Sequence, residues 1–104
     1  MSKGLKFDEG KPPISLIPRE AVEEVALVMA RGAEKYSAEN WREVRPGVRY
    51  LDAALRHIFA HASGETVDRE TRLLHLAHAA SCLLILIGLH REGVATTWRG
   101  EEKR

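Results

Sequence analysis

Residues 68–89 constrain the fold of this chain more than any other part of its sequence. From Leu73 onward the stretch is apolar on almost every side, which is typical of a helix that is buried on most of its faces. It is too short, and carries too much histidine, to be a membrane-spanning segment. The sequence therefore predicts an all-α fold that is built around this helix.

Two histidines in this stretch, His75 and His78, lie three residues apart and so share one face of the helix. Once water is removed, each imidazole nitrogen needs a polar partner. We therefore expect carboxylates, a metal ion, a ligand or another subunit to meet this face. Cys82 falls on the same face, but its apolar neighbours are typical of a core residue and not of a reactive thiol.

The length of 104 residues predicts a single domain, residues 1–104. Glycines and prolines predict an irregular N-terminal arm over residues 1–18, followed by a helical core over 19–92 and a flexible tail over 93–104. Within a bundle of three to four helices, the first should span about 18–36 and the second about 48–63. The third should begin after Asp68, which fits as its N-cap. The apolar stripe of the first helix comprises Val22, Val25, Ala26, Met29, Ala33 and Tyr36.

Composition and charge restrict the partners and the compartment. The 16 basic and 15 acidic residues nearly cancel, which argues against direct nucleic-acid binding. The single cysteine excludes an internal disulfide, and the N-terminus has no apolar signal region, so a cytoplasmic protein is predicted. Two partner helices cannot cover the apolar third helix, so we expect a homodimer or a homotetramer with this helix near the interface.

Helices two and three carry a mixture of carboxylates and imidazoles that they can direct towards each other. Each residue has an ordinary explanation: Asp52 and Arg56 can form a surface ion pair, and Asp68 can cap a helix. Together, however, such groups form a ligand set for a divalent metal. The candidate ligands are Asp52, His57, Glu65, Asp68, His75 and His78.

Two other segments carry candidate ligand-binding groups. In the connection after helix one, Trp41 follows Asn40; a tryptophan here packs back on the domain, or it stacks on a flat heterocycle that the amide also recognises. The N-terminal arm, which carries Lys11, is a solvated arm or a lid that brings lysines to an anionic ligand. The sequence leaves both pairs of alternatives open.

Several blocks of sequence, in order, resemble the phage-encoded dATP/dGTP diphosphohydrolase N-terminal domain family. The resemblance covers about residues 6–89. The blocks are Phe7-Asp8-Glu9-Gly10-Lys11, Leu16-Ile17-Pro18, Gly32-Ala33-Glu34-Lys35-Tyr36, Asn40-Trp41-Arg42, Asp52-Ala53-Ala54-Leu55-Arg56-His57, Gly64-Glu65, Asp68-Arg69-Glu70 and His75-Leu76-Ala77-His78-Ala79.

This resemblance implies a relative of the MazG-like, all-α nucleoside triphosphate pyrophosphohydrolases, encoded by a phage or prophage in a bacterial host. It implies cleavage of dATP or dGTP to the monophosphate and pyrophosphate with a divalent metal, Mn²⁺, Co²⁺ or Mg²⁺. Glu65 or Asp68 would then be the base for the attacking water. The candidates for the phosphates are Lys11, Lys35, Arg49 and Arg56, and those for the base are Asn40 and Trp41.

The chain departs from the MazG-like pattern of two glutamates on one helix and Glu-x-x-Asp on the next. Helix one offers Glu-x-x-Glu at residues 20–23, but helix three offers His-x-x-His at 75–78. A Glu-x-x-Asp does occur at 65–68, before that helix. Either imidazoles have replaced the second acidic pair, or the site has shifted; imidazole ligands would favour manganese or cobalt over magnesium.

Two functions of different class follow from these observations. The first is the metal-dependent nucleotide hydrolase. The second is a non-catalytic, oligomeric helical module, a nucleotide sensor or phage regulator, whose histidines are structural. Release of pyrophosphate from a panel of nucleotides, with and without metal, distinguishes the two.

Overall fold

The fold, taken from a computed structural model that describes residues 3–100, consists of three α-helices. They are α1 (Arg19–Lys35), α2 (Val48–Ala62) and α3 (His75–Arg91), with two short 3-10 helices at Ile14–Leu16 and Asn40–Glu43. Between residues 3 and 100, the extended structure is limited to one isolated bridge between Val67 and Leu74. The predicted all-α class and helix number are confirmed.

The first two helices begin and end within one residue of the positions that the sequence predicts. Pro18 directly precedes α1, where its fixed φ suits a helix start. Gly64 follows α2 by two residues with a φ of +104°, a conformation that side chains other than glycine rarely adopt. Across residues 3–100, no helix has the length and apolar character needed to cross a bilayer.

The start of the third helix is where the sequence prediction was wrong. Asp68 does not cap α3, which begins seven residues later at His75 after Leu74. The Asp68 carboxylate instead accepts the backbone N–H of Thr71 at 2.8 Å, and its own N–H donates to the carbonyl of Leu73 at 2.8 Å. Arg72, with a φ of +64°, interrupts any helical path. Asp68 thus closes a tight loop, because its side chain competes with helix formation for the local N–H groups.

The core of the domain is supplied mainly by α3, which packs against both other helices. Leu89 of α3 and Ala54 of α2 have no exposed surface. Two buried residues are polar, His75 and Ser81. A buried imidazole and a buried hydroxyl in so small a core need specific partners. The buried side chains are Ala54, His75, Ala77, Ala79, Ser81, Ile85, Leu86 and Leu89.

The stripe predicted for helix one is only partly covered. Val25, Met29 and Ala33 are half-buried against α3, whereas the other three predicted members, Val22, Ala26 and Tyr36, are exposed. No residue of α1 is fully buried. One side of α1 therefore borders open space next to α3, and this space forms part of the candidate site below.

Residues 93–100, which the sequence assigns to a flexible tail, pack on the start of α2. The N–H of Val94 donates to the carbonyl of Leu89 at 2.9 Å, and the indole N–H of Trp98 donates to Asp52 at 2.9 Å. Residues 94–97 are half-buried. The remainder of the predicted tail, 101–104, lies outside the described residues, and the division into arm, core and tail stays a prediction.

Candidate functional site

Three histidines from two helices meet in one cluster. The Nδ1 atoms of His57 on α2 and His75 on α3 are 2.8 Å apart. The ring of His57 also stacks on that of His78, with centroids 4.5 Å apart and planes at 11°. The structure thus brings together the shared face of α3 and the histidine that the sequence places on α2; we call these three residues the histidine cluster.

The tautomer of His75 follows from its carboxylate partner. His75 is only 4% exposed, and its Nε2 lies 2.9 Å from Oε2 of Glu65, which also pairs with Arg69 at 2.8 Å. An ionised carboxylate only accepts hydrogen bonds, so Nε2 of His75 carries the proton. In the neutral ring, Nδ1 then offers a lone pair towards His57. This is the arrangement by which carboxylates orient histidine ligands of metals.

A second carboxylate, Asp68, orients His78 through the hydroxyl of Thr71. Both the N–H and the hydroxyl of Thr71 donate to Oδ2 of Asp68, at 2.8 and 3.0 Å. Because the hydroxyl proton is used there, Thr71 Oγ1 accepts from Nε2–H of His78 at 2.7 Å. Nδ1 of His78 is left with a lone pair. Asp68 thereby orients the imidazole of His78 through two successive hydrogen bonds, and nothing in the sequence indicated this role for Thr71.

The pKa shifts of four groups in and beside the cluster favour the forms that bind cations. Burial, reinforced by the neighbouring His78 and His75, lowers the pKa of His57, and burial also lowers the pKa of His78. The hydrogen bond from His75 lowers the pKa of Glu65. Burial opposes ionisation of Asp68, but the hydrogen bonds from Thr71 and the nearby imidazoles outweigh it, so its pKa is lowered. Neutral imidazoles beside ionised carboxylates are the forms that ligate metals.

Three of these side chains could hold a divalent cation. One ligand atom from each of His57, Asp68 and His75 can be chosen so that all lie within 4.8 Å of one another. Ligands about 2.0–2.2 Å from one ion stand at most about 4 Å apart, so a movement of less than about 1 Å gathers all three. Two imidazoles and one carboxylate are donors that transition-metal ions accept.

Asp52 lies apart from these three potential ligands. Five residues before His57 on α2, it faces a different direction, and its Oδ1 accepts the Trp98 indole N–H at 2.9 Å. It lines a cavity of about 520 Å³ that also contains the predicted phosphate-binding residues Arg49 and Arg56. We call this space the arginine cavity. Its lining residues are Tyr36, Asn40, Val44, Arg49, Tyr50, Asp52, Ala53 and Arg56.

A narrower space of about 180 Å³ adjoins the arginine cavity between α1 and α3. The two spaces share Tyr36, Asn40 and Tyr50, and His78 at the wall of the narrower one connects it to the histidine cluster. We call it the α1–α3 cleft. Its lining residues are Val28, Met29, Gly32, Tyr36, Ser37, Ala38, Asn40, Trp41, Tyr50, His78, Ser81, Cys82 and Ile85.

Trp41 packs back on the domain, which is one of the two roles that the sequence left open, and its stacking on a heterocycle stays a prediction. Its ring packs on α3 so closely that a Cβ at Gly88 would lie 3.1 Å from it, and the Arg42 guanidinium stands 4.4 Å from its centroid. It nevertheless lines the cleft. Cys82 lines the cleft as well, and burial raises the pKa of its thiol, as befits an unreactive cysteine.

The remaining predicted residues lie outside the two spaces. Lys11 is in the exposed arm, and the ammonium of Lys35 lies 5.4 Å from the Tyr36 ring centroid at the end of α1. Glu23, half of the acidic pair expected from the MazG-like pattern, pairs with Arg19 at 3.0 Å on the exposed surface. The structure thus gathers the carboxylates of residues 65 and 68, and not that exposed glutamate, around the histidines.

Known sequences resemble this chain over almost its whole length. A sequence model of the family described as "dATP/dGTP diphosphohydrolase, N-terminal" matches residues 1–99. A protein of Salmonella phage PMBT28 named dATP/dGTP diphosphohydrolase is 45% identical over 86 residues, which cover 83% of this chain and 29% of that relative. The chain thus spans less than a third of the length of the curated relative. No solved structure matches the chain.

Proposed function

This chain belongs to the dATP/dGTP diphosphohydrolase N-terminal family, and from that premise we propose that it hydrolyses a purine deoxynucleoside triphosphate to the monophosphate and pyrophosphate with a divalent metal. The observation that carries the proposal is the convergence of His57, Asp68 and His75 beside His78, which lines the α1–α3 cleft next to the arginine cavity. Family membership supplies the substrate class, and the convergent donors supply the chemistry.

The cation would be held by His57, Asp68 and His75, with Glu65 orienting His75 from behind. When bound, it supplies positive charge that neutralises the triphosphate and the pyrophosphate leaving group. The protein's own groups do the rest. Arg49 and Arg56 in the arginine cavity neutralise further phosphate charge.

Asp68 is the better placed of the two carboxylates to act as the base. Both bonds from Thr71 reach its Oδ2, which leaves the lone pairs of Oδ1 for the cation and for the proton of an attacking water. Glu65 is engaged by His75 and Arg69, so it serves better to orient His75. The sequence-derived roles of Lys11 and Lys35 at the phosphates stay predictions.

A non-catalytic nucleotide sensor is the second candidate, and one observation favours it. His57, His75 and His78 all have protein partners within hydrogen-bonding distance, so structural roles satisfy them without any ligand. In that case the chain would bind a nucleotide without cleaving it, and the hydrogen-bonded histidines would only hold α2 and α3 together.

The test is pyrophosphate release from dATP, dGTP, dCTP and dTTP with manganese, cobalt, magnesium or a chelator. We expect release from the two purine nucleotides, faster with manganese or cobalt than with magnesium, because imidazole ligands favour these ions over one that prefers oxygen. Equal or faster release with magnesium would point to a site made of carboxylates. Nucleotide binding without release under every condition would favour the sensor.

We also propose that the chain forms a homodimer or a dimer of dimers through the outer face of α3. Leu84 and Ile87 on that face are 57% and 59% exposed, and Phe59 of α2 is 67% exposed. Exposed large apolar side chains of this kind mark association surfaces, and a second copy supplies a self-complementary one. Light scattering should give at least twice the mass of one chain at micromolar concentration. Replacing both Leu84 and Ile87 by lysine should reduce that mass, and a single-chain mass for the unmodified protein would contradict the proposal.

A further inference from the structure

The α1–α3 cleft is large enough for part of a nucleotide, such as its base, but not for the whole molecule. Its volume is about 180 Å³, below the ~300–1,000 Å³ of pockets that hold drug-sized ligands. The adjoining arginine cavity, at about 520 Å³, falls within that range. Because the spaces share Tyr36, Asn40 and Tyr50, one ligand can occupy both, with a flat ring in the cleft and charged groups beside the arginines.

Gly32 lines this cleft from within α1, and packing does not explain why it is a glycine. A Cβ at Gly47 would lie 2.4 Å from the carbonyl oxygen of Ala95, and one at Gly88 would lie 3.1 Å from Trp41, so those positions have no room for a side chain. Gly32 is exposed at the edge of the cleft, a Cβ there would meet no atom within 4 Å, and Gly32 is not among the glycines with positive φ.

Glycine within a helix also destabilises it relative to alanine. Neither backbone geometry nor neighbouring atoms offset that loss at Gly32. What the missing side chain does provide is an unobstructed edge on the α1 side of the cleft, open to solvent. A ligand ring that enters the cleft can therefore pass directly over the backbone of Gly32.

The cleft also holds a buried hydroxyl with an unusually weak partner. Ser81 is 3% exposed, and its Oγ donates to the thioether sulfur of Met29 at 2.8 Å. Sulfur is a weak acceptor, and the oxygen lone pairs of Ser81 remain able to accept a hydrogen bond. With the Asn40 amide at the entrance, the cleft offers donors and acceptors to the edge of a heterocycle.

We propose that Gly32 determines base specificity: its missing side chain leaves the edge of the α1–α3 cleft open for the second ring of a purine, so that purine deoxynucleotides bind in preference to pyrimidine ones. This inference rests on the proposed function, because it assigns the base of that substrate to the cleft. A one-ring base covers less of this edge and depends less on the space beside Gly32.

The test uses a graded pair, Gly32→Ala and Gly32→Val, with Ala30→Val as the matched control. Ala30 is exposed on α1 two residues away, so it points to the opposite side, and it lines neither the cleft nor the arginine cavity. The measurements are kcat and KM for dATP, dGTP, dCTP and dTTP, with melting temperatures. Since the Ala variant gains helix propensity, its melting temperature should be no lower than that of the wild type.

We expect KM for the purine nucleotides to rise about tenfold or more in the Ala variant, and further in the Val variant, since one misplaced methyl in a pocket has an effect of this order. KM for the pyrimidine nucleotides should change less, so the purine preference falls. The Ala30→Val variant should keep the wild-type preference. Equal KM changes for purines and pyrimidines, or no change in a folded Gly32 variant, would overturn the assignment. Neither result would contradict the proposed hydrolase function.

If the wild type releases no pyrophosphate from any nucleotide, the proposed function fails, but the cleft is still tested by binding. The readout is then the rise in melting temperature that each of the four deoxynucleotides produces. A smaller rise with purines in Gly32→Val than in Ala30→Val supports the assignment. Equal rises in the two variants, or no rise with any nucleotide in the wild type, overturn it.

Discussion

Replacing His75 with glutamine is expected to abolish both pyrophosphate release and the rise in melting temperature on addition of manganese. His75 is the buried member of the histidine cluster, with Nδ1 directed at His57 and Nε2 bound to Glu65. A bound ion stabilises only the native state, by about 2.7 kcal/mol at 100 times its dissociation constant, or roughly 10–20 °C for a domain of this size. Without the imidazole, that rise should disappear.

The metal-free protein should also lose stability on this change, by about 1–3 kcal/mol, because a buried hydrogen-bond partner of Glu65 is removed. The decisive readout is therefore the difference in melting temperature with and without metal, measured for each variant against itself. His90→Gln, at the exposed end of the same helix, is the control and should retain both properties. We expect His57→Gln or His78→Gln to match the His75 variant. Full turnover in all three would remove the histidines from the mechanism.

Replacing Asp68 with asparagine is expected to lower turnover by more than about 100-fold, since even residues behind a metal ligand contribute roughly 10–100-fold. Asparagine keeps an oxygen that accepts from Thr71, and it is well tolerated in such loops, so the loop that precedes α3 should persist. What is lost is the negative charge beside His57 and the candidate base. Pyrophosphate release and manganese titration by melting temperature measure the two losses separately.

Glu70→Gln is the matched control for this change. It removes a carboxylate charge from the same loop, but Glu70 is exposed and is not one of the three convergent groups. It should retain the metal-induced rise and most of the turnover. If Asp68→Asn behaves like Glu70→Gln, then Asp68 is only a structural residue of the loop, as its bonds to Thr71 would already allow.

The sequence by itself determined the features that depend on neighbours along the chain. The apolar character of residues 73–89 predicted the helix that supplies most of the core, although one face of it is exposed in the single chain. Pro18 marked the start of the first helix and Gly64 the end of the second, each within two residues. The spacing of His75 and His78 placed them on one face, because helical periodicity is local. Even the error at Asp68 had a local cause, since a side chain that can cap a helix can equally close a loop.

Only the tertiary structure decided which of these polar groups meet. His57 and His75 are 18 residues apart in sequence, and their contact depends on how α2 and α3 cross and on the path of the loop between them. The same packing directs the carboxylate of Asp52 away from the histidine cluster and towards the indole of Trp98. The open volume beside Gly32 is likewise a property of the gap between α1 and α3, which no local spacing encodes. Periodicity fixes the face of a helix, whereas the position of a site depends on the side chains that pack between helices.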